Sequence, residues 1–129
     1  MTSSPPRRKR RCSLEIDTTG ARGMVRVERP RAGAPVSRTF ALGGASQRPG
    51  VLLTAMHRAC AIVGCRVTDI AEIAVVPGPG RFSAVRLGVV TANALAWALG
   101  VPLTVHGRRV RIAQPEYGAP PTITRAAGS

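Results

Sequence analysis

Residues Val75–Gly88 read VVPGPGRFSAVRLG, and the fold turns on how this stretch is read. A short apolar strand ends in Pro77, the turn Gly78-Pro79-Gly80 follows, and a helix opens by about Ser83. Proline holds φ near one value and glycine reaches values closed to other residues, so the backbone path here is tightly set. Such a turn aims the N-terminus of the next helix, with its unpaired N–H groups, at a chosen place. An anion cradle is the generic reading of that geometry. The plainer one makes Gly78, Pro79 and Gly80 a structural turn and Ser83 the helix N-cap.

Working outward, Cys12–Asp17 alternates apolar and polar residues, as does Met24–Arg29, with Thr18-Thr19-Gly20 as the turn between them. Val36–Leu42 supplies a third strand, and the short connections make the three an antiparallel meander. Val51–Val63 places Val51, Leu52, Ala55, Ala59, Ile62 and Val63 on one helical stripe, with Pro49 in its first turn and Gly64 as its C-terminal cap. Asp69–Val76 reads as a fourth strand. A second helix runs from about Ser83 to Leu99 and stops at Gly100, and Val101–His106 is a short fifth strand. The order βββαβαβ predicts an α/β domain over residues 12–106: a mixed five-stranded sheet with two main helices. Residues 1–11 are expected to be a disordered basic arm and 107–129 a basic, disordered tail, with Val110–Ala113 a possible strand fragment.

The 129 residues suffice for one domain. Aromatic residues make up only 3% of the chain, so its core is built from Val, Leu, Ile and Ala. Cys12, Cys60 and Cys65 are odd in number and lack a C-x-x-C spacing, which argues for idle thiols in a reducing compartment rather than a disulfide framework or zinc site. His57 and His106 stand far apart and outside any metal-ligand pattern, so no metal or cofactor is expected. No stretch approaches the ~20 apolar residues of a membrane helix, and the basic head lacks the apolar run of a secretory signal; both predict a cytoplasmic protein.

Net charge is +13, and most of the excess lies at the two ends. Arg7, Arg8, Lys9, Arg10 and Arg11 form one run that can meet nucleic-acid phosphate by counterion release, although no aromatics accompany it for base stacking. The second helix is the opposite case. From Leu87 to Gly100 it has no charge, and only Thr91 and Asn93 are polar. A helix with one face in water should show a polar stripe, so both faces of this one are expected to be covered. Gly88, Ala92 and Ala96 recur at a spacing of four and would admit the close backbone approach of a partner helix. Arg86 opposes the dipole at the helix start, which suggests a specific acceptor for it. Asp17, at the end of the first strand, is read as a turn acceptor rather than a nucleotide-site acid.

The string GPGRFSAVRLGVVTANALAWALGVPL resembles the signature of the TsaB family, also called YeaZ or Gcp-like, which runs roughly GPGSFTGLRIGVATAKGLA. Gly78, Pro79, Gly80, Phe82, Ser83, Arg86, Gly88, Ala92, Gly100 and Pro102 fall at matching places, and CSLEIDTTG resembles the family's opening strand. The resemblance implies a ribonuclease-H-like lobe of the actin and Hsp70 type, reduced to the family's N-terminal domain. It implies a non-catalytic subunit in threonylcarbamoyl modification of a transfer-RNA adenosine, docking a catalytic TsaD subunit through its two helices. Phe82, Arg86, Gly88, Ala92 and Ala96 would be the contacts. TsaE or a second copy of the chain are further partners, and tRNA is met only indirectly. Two departures stand out: Ala45 occupies the place of a family histidine, and Ala84 that of a glycine. The alternatives are a small basic RNA-binding protein on the same fold, or a decayed fragment.

Overall fold

Alternation of apolar and polar residues builds the sheet strand by strand. The structure is a computed structural model, and it describes residues 11–20, 22–43 and 48–117. Strands β1 (Cys12–Asp17), β2 (Met24–Arg29) and β3 (Val36–Ala41) come first, then helix α1 (Pro49–Val63) and β4 (Ile70–Val76). Helix α2 (Phe82–Leu99), β5 (Leu103–Val105) and β6 (Arg108–Val110) complete the order. The strands lie side by side as β3-β2-β1-β4-β5-β6. The first strand is central, antiparallel to β2 and parallel to β4. Its inward residues Cys12, Leu14 and Ile16 are buried, and Val25, Val27, Ile73, Val75 and Leu103 extend the same face across the sheet. Full burial of each such side chain is worth ~1.5–3 kcal/mol. Both helices pack on this face, α1 over β2 and β3, α2 over β4, β1 and β5.

Helix α1 begins at Pro49, where the missing N–H has no intrahelical use. Gly64 and Gly100 end the two helices in the left-handed region, at φ 83° and 65°, which glycine adopts without a Cβ clash. Helix α2 starts at Phe82, one residue earlier than expected, and Ser83 is not its cap. The capping position belongs to Arg81, whose carbonyl accepts the Val85 N–H at 2.9 Å. Its extended backbone is dictated by the preceding Gly78–Gly80 turn, so the helix begins where that turn releases the chain.

The mixed α/β sheet and its two helices agree with the sequence reading, but the sheet has six strands rather than five. The sixth, β6, pairs antiparallel with β5 across a two-residue turn, His106-Gly107. Both turn residues have positive φ, 51° and 76°, the pattern of a type I′ hairpin. Residues 107–117 were expected as tail, and they are packed against the domain instead. Asn93 on α2 clamps Ala113 from both sides: its amide donates to the Ala113 carbonyl at 3.1 Å and its carbonyl accepts the Ala113 N–H at 2.8 Å. The Glu116 N–H donates to the Pro77 carbonyl at 2.7 Å. Cys12 and Cys65 bring their sulfur atoms together in the core, and Cys60 is buried apart from them.

Helix α2 sits close to the sheet because its inward stripe is small. A Cβ on Gly88 would fall on the Thr18 hydroxyl, and that hydroxyl donates to the Ala84 carbonyl at 2.6 Å. Thr18 is 1% exposed. Ala92 and Ala96 continue the stripe and are buried as well.

Two outcomes follow from this packing. Gly88→Ala displaces Thr18 and destabilises the domain by ~1–3 kcal/mol, while Thr18→Ala removes one buried hydrogen bond worth ~1 kcal/mol. The double variant loses less than the sum, because the clash needs both groups; urea unfolding measures this, and strict additivity excludes the contact. Asn93→Ala frees the Ala113 segment at a loss of ~1–2 kcal/mol. Hydrogen exchange then accelerates at the Ala113 and Glu116 amides and stays slow in β1 and β4.

Candidate partner-binding face

The packing that puts Gly88, Ala92 and Ala96 against the sheet decides what α2 shows to solvent. These three were expected to receive a partner, and the structure places them inside the chain instead. The small side chains do permit close approach, but the approaching group is the β1–β2 turn at Thr18. Phe82, Arg86, Val90, Ala94 and Trp97 point outward. Phe82 is 60% exposed, Val90 56% and Trp97 87%. The spacing between these positions is three or four residues, so they form one stripe along the helix. On α1, Leu53 and Ile62 are the exposed apolar residues. Scattered single apolar residues are ordinary on a protein surface, but an aligned run on a helix that has no charge from Leu87 to Gly100 is a patch. Burial of such a Phe or Val side chain against a partner is worth ~1.5–3 kcal/mol.

Arg86 projects from the first turn of α2, where its charge opposes the helix dipole. At the same end the rings of Phe82 and Tyr117 stack with centroids 4.5 Å apart. The Gly78–Gly80 turn fits against its neighbours too closely for larger residues: a Cβ on Gly78 would fall on the Glu116 carbonyl, and one on Gly80 would lie 2.9 Å from Thr19 Cα. The turn is therefore filled by the chain itself. Against the sequence reading, which found no stretch of that kind, α2 is by length and composition apolar enough to cross a membrane. Its inner residues Val85 and Val89 are part of the core, which marks it as a sheet-packed helix.

Asp17 accepts the Thr19 N–H at 2.9 Å and the Thr19 hydroxyl at 2.5 Å. Both bonds close its own turn. His106 Nε2 meets the Glu116 carboxylate at 3.2 Å, on the surface. Burial pushes the Cys60 thiol up, and the nearby Asp69 charge adds to the effect, so Cys60 is a poor nucleophile. Among the described residues no three His, Cys, Asp or Glu side chains are grouped to hold a metal. The sheet face away from the helices carries Ser13, Glu15, Arg26, Glu28, Glu72 and Arg109 around an open hollow of about 500 Å³. There Arg26 Nη2 donates to Glu28 Oε1 at 2.8 Å. Of the basic arm, Arg11 is exposed, whereas Arg7, Arg8, Lys9 and Arg10 lie outside the described residues, as does Ala45.

The sequence reading named Phe82 and Arg86 as partner contacts, and the structure exposes both; it did not name Val90 or Trp97, which are exposed as well. Their signal was present as the four- and three-residue steps from Arg86 along a helix with no charge beyond that residue. Which of its two apolar stripes faces outward was not legible.

The family model described as TsaD, tRNA N6-adenosine threonylcarbamoyltransferase, matches residues 49–118. A tRNA N6-adenosine threonylcarbamoyltransferase of Geotalea uraniireducens (strain Rf4) is 44% identical over 50 residues, covering 39% of this chain and 15% of that protein. The tRNA threonylcarbamoyladenosine biosynthesis protein TsaB of Bacillus subtilis (strain 168) is 44% identical over 36 residues, 28% of this chain and 16% of that one. Among solved structures, YeaZ from Pseudomonas aeruginosa superposes with a TM-score of 0.56 at 26% identity, covering 73% of this chain and 42% of YeaZ. The chain thus spans less than half the length of the relatives it matches. Sequence motif, topology and superposition agree, and the chain belongs to the family described by the TsaD tRNA N6-adenosine threonylcarbamoyltransferase model, as a TsaB (YeaZ)-like member.

Proposed function

We propose that this chain acts in threonylcarbamoyl modification of tRNA adenosine as a non-catalytic subunit, docking a TsaD-like catalytic chain through the outer faces of α1 and α2. The observation that carries the reading is the aligned exposure of Phe82, Val90 and Trp97 on α2. Family membership supplies the pathway, since the matched relatives are named for the transferase and for the biosynthesis protein TsaB. Gly88, Ala92 and Ala96 act indirectly: they seat the helix and so set which residues reach the partner. Arg86 and Phe82 lie at the rim of the face, with the Phe82–Tyr117 stack beside them. The chemistry belongs to the partner, tRNA is met only through it, and the setting is the cytoplasm.

The test separates the two stripes of α2. Trp97→Glu and Val90→Glu place a charge on the outer face, and capture of a co-expressed TsaD-type transferase falls by about 100-fold, equivalent to ~2.7 kcal/mol. Their thermal transitions stay close to the parent's, since neither residue is in the core. Ala92→Glu, at a position 0% exposed, unfolds the domain instead, because an unpaired charge is forced into the sheet interface. Unchanged capture in both outer-face variants rejects the docking model. A salt-dependent RNA complex in those variants, abolished by neutralising the basic arm, would move the assignment to RNA binding.

A further inference from the structure

The sheet ends at β3 on one side, and no strand lies beyond it among the described residues. β3 is paired to β2 along its whole length, from Val36 to Ala41. In an antiparallel ladder every second residue of an outermost strand turns its N–H and C=O away from its neighbour. Ser37, Arg38 and Thr39, in the middle of the strand, are exposed. Along this edge α1 and β3 enclose a cleft of about 520 Å³ with apolar walls from Phe40, Leu42, Val51 and Ala55. Val51, Ala55 and Arg58 follow at steps of four and three, so they share one flank of α1. Arg48 and Arg58 also line the cleft, and Arg38 lies over the Phe40 ring, 5.3 Å from its centroid. The strand register puts Arg38 and Phe40 on the helix side of the sheet, opposite Val27 and Val25. All three arginines are exposed. None of them is ion-paired among the described residues, and none of the chain's six acids lines the cleft.

We propose that this edge takes up an extended acidic segment of another protein, which adds a strand to β3 and seats one aliphatic side chain in the cleft. Main-chain bonds to β3 hold the segment, and its side chains at alternate positions select it. In an extended chain residues i−2, i and i+2 face one side. With an aliphatic residue i in the cleft, acids at i−2 and i+2 come to the arginines around it. A carboxylate there meets a guanidinium that no acid of this chain neutralises, and such charge-assisted bonds are the stronger kind. The other chain available to pair with the edge is a second copy. Its β3 brings one Arg38-bearing strand against another, and like charges facing each other across strands oppose pairing. The arginines therefore guard the edge against self-association and favour a segment of opposite sign. This surface is separate from the α2 stripe of the docking reading, since α1 covers β2 and β3 whereas α2 covers β4, β1 and β5.

The probe is the peptide Ser-Glu-Thr-Leu-Thr-Glu-Ser, blocked at both ends and titrated calorimetrically into the full chain at low salt. Binding saturates below about 1 mM, and hydrogen exchange slows at the β3 amides when the peptide is bound. The double variant Arg38→Glu, Arg58→Glu, in which both changed residues are exposed, keeps its thermal transition and loses about tenfold or more in affinity. It binds Ser-Lys-Thr-Leu-Thr-Lys-Ser instead, a reversal of preference that loss of structure does not produce. Failure of the acidic peptide to saturate overturns the proposal. Equal affinity for Ser-Glu-Thr-Thr-Thr-Glu-Ser also overturns it, because attraction by charge alone then explains the binding and the cleft has no part. Unchanged exchange in β3 with peptide bound excludes strand addition. A dimer whose β3 amides are already slow without peptide assigns the edge to a second copy. The first two measurements on the parent chain stand even where the double variant fails to fold, and none of them contains the catalytic transferase, so a failed capture in the docking test leaves them unaffected.

Discussion

The meeting of Thr18 with α2 is the constraint on which the rest of the domain depends. Thr18 lies in the turn after the central strand, buried to 1% exposure, and donates to the Ala84 carbonyl one turn before Gly88. Only glycine at 88 lets the helix come that near. The contact fixes the rotation of α2 about its own axis and its height above β1 and β4. With the rotation fixed, Val85, Val89, Ala92 and Ala96 enter the core, and Phe82, Val90 and Trp97 are left outside. A helix rotated by half a turn would present the small stripe to solvent and bury the aromatics. The surface that α2 shows to solvent is therefore a consequence of one close approach inside the domain.

The same end of the sheet is closed by the chain itself. The Gly78–Gly80 turn, the Asp17–Thr19 turn and the Ala113–Tyr117 segment are packed against one another, and the turn glycines leave no space that a side chain would fill. Asp17 spends its bonding on Thr19, and Glu116 meets His106 at the surface.

How far the fold could be read depended on how local its causes were. β1, β2 and α1 were legible because their periodicities of two and 3.6 residues extend over six to fifteen residues. β6 was not, being three residues long and rich in Arg, with a histidine where a hairpin turn more often carries Asn or Asp. The Asn93–Ala113 clamp links residues twenty apart through a side chain, and no local pattern signals such a bond. The start of α2 was misplaced because a serine after a turn is a good cap by composition, whereas the cap was settled by where the Gly78–Gly80 turn lets the backbone go.

By itself the sequence determined the α/β class, the order of the main elements, the family resemblance carried by the Gly78–Pro102 string, and the absence of charge from Leu87 to Gly100. These are properties of spacing and residue type, and they survive without knowledge of any contact. Only the tertiary structure decided which of the two apolar stripes of α2 faces the sheet. Both stripes satisfy helical periodicity, and hydrophobicity alone favours neither strongly. The choice rests on volume: the narrow space above Thr18 accepts Gly88 and the alanines, and excludes Phe82 and Trp97.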